Sequence, residues 1–291
     1  MKIKIPATSA NLGCGYDTLG LALSLYNSFE IIPAEEDGLV GDDRDIANHM
    51  VFGAKNLACE MLELPVKGMK LTIDAQIPES SGLGSSATCI LAGVMAALFL
   101  NGKKQDPKVI LKIATKIEGH SGNIVPAFKG GLAASMDSEV GIIYKKFNTS
   151  SDLIFMTVIP PFEFSTAGAR AALPIMIRHS DAVANLSRII LLADALENGK
   201  TNNMQLLFHD ELHEKYRLPL IKELDPNYEM MWNYCLNNTR GVYLSGSGPA
   251  FVAIVQPSDA DILKADLESM APQYKILKLR ANNWGTETSS Y

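Results

Sequence analysis

Nineteen consecutive residues, Gly82 to Leu100 (GLGSSATCILAGVMAALFL), carry no charge, and no other stretch restricts the fold of this chain so strongly. A segment of that length can cross a bilayer. It can equally be a helix that is apolar all round because it runs through the centre of a large soluble domain. The Gly, Ser and Ala residues that open it, and the amphipathic patterns on both sides, favour the buried helix, so no membrane partner is expected. With 291 residues, 47% hydrophobic and 20% charged, the chain can bury a sizeable core and is unlike a disordered or fibrous composition. A formal net charge of −6 supplies no basic stripe, so a small molecule is expected as the partner and nucleic acid is not.

The four cysteines, Cys14, Cys59, Cys89 and Cys235, lie far apart and lack the spacing of zinc ligands, so they read as reduced thiols in a cytoplasm. The opening MKIKIPATSANLG turns polar at Thr8 and Ser9 and lacks the apolar run of a signal peptide, so export is not expected. His49, His179, His209 and His213 show no ligand spacing with one another.

Periodicity orders the remaining chain. IKIPA and Leu21 to Ile32 read as strands, Asn48 to Leu64 as a helix, and Met69 to Ile77 as a strand before the uncharged stretch. Asp106 followed by Pro107 is a helix start, and the helix runs to Glu118 with Gly119 as its stop. Gly130 to Met136, Gly141 to Lys146 and Leu153 to Ile159 read as strands. The doublet Pro160-Pro161 then punctuates the chain, and the domains are taken as 1–155 and 156–291. Beyond it, His179 to Asn198 is predicted helical, as is Asn202 to Tyr216 with a break at Pro219. Strands at Gly241 to Ser245 and Pro249 to Val255, a helix at Asp259 to Met270 and a strand at Tyr274 to Leu279 follow. Helices and short strands without regular alternation predict an α+β fold.

The loop before the buried helix carries the strongest chemical signal. Gly82 and Gly84 allow the backbone to approach a ligand closely, and Ser85 and Ser86 would stand at the positive end of the helix with amides open to an anion. Taken alone, IPESSGLGSSAT is either a phosphate cradle or a glycine turn leading into a serine-capped helix. It has no lysine and matches neither the Walker loop nor GxGxxG.

Two further segments join it. PATSANLGCGYDTLGLAL (Pro6 to Leu23), PESSGLGSSAT (Pro78 to Thr88) and LSGSGPAFVAI (Leu244 to Ile254) resemble the three ordered motifs of the GHMP kinases. The opening motif, EGHSGNIVPAFKGG (Glu118 to Gly131) and HEKYRLPL (His213 to Leu220) are similar in particular to the homoserine kinase branch of that family. The resemblance implies a two-domain GHMP-kinase-like architecture with the active site in the inter-domain cleft. The activity it implies is ATP- and Mg2+-dependent phosphorylation of the side-chain hydroxyl of L-homoserine, with a homodimer as the expected assembly; the alternatives are another GHMP small-molecule kinase, or an ATP- or metabolite-binding relative whose turnover is impaired.

The resemblance also implies roles, residue by residue. Asn48, Pro78, Glu79, Ser80, Ser81, Gly82, Leu83, Gly84, Ser85, Ser86, Ala87 and Thr88 would bind ATP. Ser86 and Glu118 would hold the metal, although a glutamate in a last helical turn is often merely solvated. Arg170 and Arg217 would clamp the substrate carboxylate, Asp17 would take its ammonium group, and Asn11 would line the same pocket. Thr166, Asn123 and His120 would stand around the transferred phosphoryl group. Gly246, Ser247 and Gly248 of the third motif would close over the site, or form a plain hairpin turn.

The departures are Cys14 and Tyr16, expected to change loop stiffness and little else, Ala250 in the third motif, and Gly122 where related enzymes read aspartate. The last predicts a working but slow kinase. A left-handed backbone at Gly122 would make aspartate costly there.

Overall fold

The computed structural model describes residues 1–41 and 49–289. Two antiparallel-rich sheets and ten helices make up the described residues. The first sheet is organised by one long strand, β2 (Leu19–Pro33), which pairs along one edge with β1 (Lys2–Ala10). Its other edge is divided: residues 27–33 pair with β4 (Met69–Ala75) and residues 19–21 with β5 (Leu132–Ser138). The short strand β3 (Gly38–Leu39) extends β4, and β6 (Gly141–Phe147) extends β5.

Helices α1 (Met50–Met61), α2 (Ser85–Leu100), α3 (Pro107–Glu118) and α4 (Ile124–Lys129) cover one face of this sheet around a shared core. The uncharged stretch is the centre of that core. Twelve of the sixteen residues of α2 are buried, and among the described residues no helix is long and apolar enough to cross a membrane. A helix ringed by sheet and helices on all sides has no solvent face, which is why its sequence shows no polar stripe.

The second sheet holds β7 (Ile154–Ile159), β8 (Gly241–Leu244), β9 (Phe251–Val255) and β10 (Lys275–Leu279) in the order β10-β7-β9-β8. Every residue of β7 and β9 is buried, because both faces are covered. One face packs on α9 (Pro226–Asn238) and α10 (Ala260–Met270). The other meets the first half of the chain: Ala7, Leu12, Leu19 and Leu21 share one cluster with Phe155, Tyr243, Val252 and Leu192 of α6 (His179–Asn198). The C-terminal strand β11 (Glu287–Ser289) returns to pair with β1. The cleft between the halves therefore rests on a common hydrophobic floor.

One predicted element is corrected. The helix expected over Asn202 to Tyr216 is two helices, α7 (Met204–Phe208) and α8 (Glu214–Lys222). The interruption comes at residues 209–213 rather than at Pro219, which sits inside α8. Its cause is Asp210, whose carboxylate accepts from the amides of Leu212, His213 and Glu214 at 3.1, 2.6 and 2.7 Å and so starts a new helix. Helices α4, α5 (Thr166–Ala171) and α9, and strands β3 and β11, were not anticipated from periodicity.

Candidate active site

A cleft of about 1080 Å³ opens between the two halves. One end is the loop between β4 and α2. Gly84 stands at the helix start with φ of 70°, and no side chain caps the helix, so the first-turn amides are left open. A Cβ at Gly84 would overlap the Thr8 hydroxyl, and one at Gly82 would overlap the Ser245 carbonyl oxygen. Both glycines are therefore required by close approach as well as by their positive φ.

The three motifs are bonded to one another beneath this loop. Thr8 donates its amide to the Leu83 carbonyl at 3.0 Å, Ala250 to Ser81 at 3.1 Å and Gly246 to Ala10 at 3.0 Å. The Ser245 hydroxyl donates to the Gly82 carbonyl and lies 2.7 Å from the Ser9 hydroxyl. The third segment is thus a brace that holds the first motif against the loop 78–86. Gly246 and Ser247 line the cleft; Gly248 turns its amide onto Ser245.

Helix α3 delivers the next group. Asp106 caps it by accepting from the Lys108 amide, and Gly119 at φ 88° ends it, placing Glu118 in the final turn and His120 just beyond. The Ser86 hydroxyl donates to Glu118 at 3.0 Å, joining the first turn of α2 to this carboxylate. Burial pushes the Glu118 carboxyl up, against the hydrogen bond from Ser86, and burial pushes His120 down toward the neutral imidazole. The two side chains approach to 3.9 Å. The Thr8 hydroxyl donates to Asn123 Oδ1 at 3.0 Å, which leaves the Asn123 amino group for the cleft.

The opposite end is charged. Asp17 and Arg170 are exposed along the cleft, and the Arg170 side chain has no hydrogen-bond or ion-pair partner among the described residues. Arg217 is 2% exposed, donates from Nε to the Ala169 carbonyl at 2.9 Å, and lies over the Tyr16 ring at 5.1 Å. Asn11 is spent on structure: its amino group donates to the Gly246 carbonyl and its oxygen accepts from the Asp17 amide. It lines the cleft while fixing the loop that carries Asp17. Thr166 opens α5 with its hydroxyl 3.3 Å from that of Ser247, across the mouth of the cleft.

Of the expected nucleotide-binding residues, Pro78 to Ser86 line the cleft. Ala87 and Thr88 do not: both are fully buried, and the Thr88 hydroxyl bonds the Ser85 carbonyl. Asn48 lies outside the described residues. Two expectations change, and the place of Ala250 becomes clear. Tyr16 supports Arg217 with its ring and borders the cleft, so it does more than alter loop stiffness. Gly122 does not have a positive φ, and a Cβ there would meet nothing nearer than Ala10 and His120 at 3.8 Å, so the expected left-handed strain is absent and a Cβ has room. Ala250 is buried in the shared core and contributes its amide rather than a hydroxyl.

Sequence reasoning passed over His213 and Asp210, which lie buried behind Arg217. The signal available was the spacing of His213 and Arg217, four residues apart from the N-cap of α8 into its first turns, which brings the two side chains together.

An anion cradle made of backbone at one end of a cleft, facing a pair of arginines and an aspartate at the other, is the arrangement of an enzyme that moves a phosphoryl group between two small molecules. The chain belongs to the GHMP kinase family: residues 49–131 match the GHMP kinases N terminal domain and residues 192–273 the GHMP kinases C terminal. Homoserine kinase from Clostridium acetobutylicum is 36% identical over 294 aligned residues, covering 98% of each chain. That from Clostridium botulinum strain Okra is 34% identical, covering 98% of this chain and 97% of its own. The crystal structure of homoserine kinase from Cytophaga hutchinsonii superposes with a TM-score of 0.82 at 25% identity, covering 99% of this chain and 96% of that one.

Proposed function

We propose that this chain transfers the γ-phosphoryl group of ATP to the side-chain hydroxyl of L-homoserine, forming O-phospho-L-homoserine and ADP on the way to threonine. The observation that carries the reading is the charge arrangement at the acceptor end. Two guanidinium groups and one carboxylate, Arg170, Arg217 and Asp17, border the same cleft and match the two charges of a zwitterionic amino acid.

ATP would lie with its phosphates over the loop 78–86, where the open amides of α2 favour negative charge. Mg2+ suits the neighbouring donors. The Ser86 hydroxyl and the Glu118 carboxylate are hard oxygen ligands already 3.0 Å apart, and among the described residues no cluster of three His, Cys, Asp or Glu forms a closed protein cage. Held there, Mg2+ would neutralise charge on the transferring group and its leaving oxygen. We place the division between the nucleotide-binding and second domains near residue 155, and the free thiols support a cytoplasmic setting.

In transfer, the bond from the γ-phosphorus to the ADP oxygen breaks as the bond to the homoserine hydroxyl oxygen forms, and the hydroxyl proton passes late in the step to the neutral imidazole of His120. A loose transition state needs little early deprotonation, so orientation of the hydroxyl matters more than a strong base. Neutral His120 can accept the hydrogen bond of the hydroxyl, and the Asn123 amino group and Thr166 hydroxyl can donate to phosphoryl oxygens. An ADP-release assay with homoserine, mevalonate and galactose, with and without Mg2+, tests the proposal. Turnover confined to homoserine and dependent on Mg2+ is expected; turnover with mevalonate or galactose in its place would refute it.

A further inference from the structure

Behind Arg217 the buried side chains allow a further step, which rests on the reading that this arginine receives the acceptor's carboxylate. His213 is 0% exposed. Its Nε2 lies 3.0 Å from the Gly13 carbonyl oxygen, which can only accept, so Nε2 carries the proton. Its Nδ1 lies 3.3 Å from Arg217 Nη1, which can only donate, so Nδ1 carries the lone pair. One neutral tautomer satisfies both neighbours; the other tautomer and the imidazolium would each set an N–H against the guanidinium. Asp210 does not compete for the proton. Its Oδ2 is 3.8 Å from Nε2 and already accepts three backbone amides, while Glu214 accepts from the Leu244 amide. Burial also holds the imidazole well below its usual range.

We propose that His213, locked as the Nε2–H tautomer, is a positioning residue that aims Arg217 at the carboxylate of the acceptor and ties it, through Gly13, to the first motif. The Arg217 Nε is held by the Ala169 carbonyl, and Nη1 by His213 with the Gly246 carbonyl at 3.4 Å. The Tyr16 side chain also bonds to the guanidinium, and Nη2, with no other partner within hydrogen-bond distance among the described residues, is the amino group left for a ligand in the cleft that Arg217 lines.

Two substitutions separate the two ring nitrogens. His213→Gln keeps a donor near Nε2 and removes the acceptor at Nδ1; His213→Asn keeps an acceptor near Nδ1 and gives up the bond to Gly13. The loss of one hydrogen bond to a charged group corresponds to about tenfold. His213→Gln is therefore expected to raise KM for homoserine about tenfold, with kcat and the KM for ATP little changed, and His213→Asn is expected to restore most of that loss. Combined with Arg217→Ala, His213→Gln is expected to add nothing to the KM of Arg217→Ala alone. Equal effects of Asn and Gln, an additive double variant, or an unchanged KM in His213→Gln beside a raised KM in Arg217→Ala would overturn the role of His213 and leave the clamp standing. An unchanged KM in Arg217→Ala would remove the clamp itself, and this inference with it. Nitrogen-15 NMR of the wild-type imidazoles needs no variant to fold: a bare Nδ1 and protonated Nε2 are expected for His213, and a protonated Nδ1 at neutral pH would overturn the proposal.

Discussion

At the donor end of the cleft, the anion cradle comes from one continuous run, residues 78–86, whose useful groups are backbone amides. The acceptor end draws Asp17, His120, Arg170 and Arg217 from four separate segments and works through side chains. The first depends on the absence of side chains at two glycines. The second depends on long side chains held by their neighbours: Arg217 is stacked on Tyr16 and bonded on two nitrogens, whereas Arg170 is exposed and unpartnered among the described residues. A backbone cradle is specific for charge and close approach; a side-chain clamp is specific for shape.

The largest effect is expected where the backbone is most constrained. Gly84→Val places a branched side chain against the Thr8 hydroxyl at a left-handed φ of 70°. Loss of ATP affinity by about a hundredfold or more, roughly 3 kcal/mol, is expected by calorimetry, together with a lower melting temperature. Unchanged ATP affinity would break the contrast at its donor end.

Arg170→Ala probes the other side. Removing a charge-assisted bond of about 1.5–3 kcal/mol should raise KM for homoserine ten- to a hundredfold. Because the side chain has no partner to lose among the described residues, the melting temperature should not move. A shared rise in the KM for ATP, or a clear loss of stability, would make Arg170 a structural residue.

Glu118→Gln sits where the two ends meet. Burial raises the Glu118 carboxyl above its ordinary 4.5, so the folded ligand-free protein binds the proton more tightly than the unfolded chain and loses stability as pH rises through that window. The neutral amide removes this cost: the variant should melt higher than wild type above the window and equally below it. Its activity should fall by about tenfold, as expected for a lost ionic oxygen near the phosphates. A melting difference that persists below the ordinary carboxylate range would refute the burial argument.

The smallest effect is expected at Gly122. The Cβ of aspartate meets only ordinary contacts at 3.8 Å, so Gly122→Asp should fold normally. Homoserine turnover should rise several-fold, well short of the roughly 10²–10⁴-fold of full general-base assistance, with ATP affinity unchanged. A fall in turnover at unchanged stability would show that this cleft is adapted to glycine.

Local chemistry made much of the molecule readable in advance. The uncharged run could only be a surrounded helix once its polar opening ruled against a bilayer, and Asp106-Pro107 and Gly119 marked the ends of α3 because capping and positive φ act over a few residues. The same Asp-Pro signal at Asp225-Pro226 marks the start of α9, where the Asp225 carboxylate accepts from the Asn227 amide, and it could have been read in the same way. The glycine cradle was legible for the same reason: its ligand groups are neighbours in the chain.

Tertiary structure decided what depends on distant partners. The support of Arg217 comes from Tyr16, some 200 residues away, and the brace of the phosphate-binding loop proposed above from Ser245 and Ala250. Sequence periodicity reports which face of an element is apolar, because burial acts on each element separately. It carries no record of which buried polar groups meet, since that follows from how the two sheets close on their shared core. Sequence by itself therefore determined most of the elements and the donor loop, while packing of the two halves decided the tautomer of His213 and the orientation of Arg217.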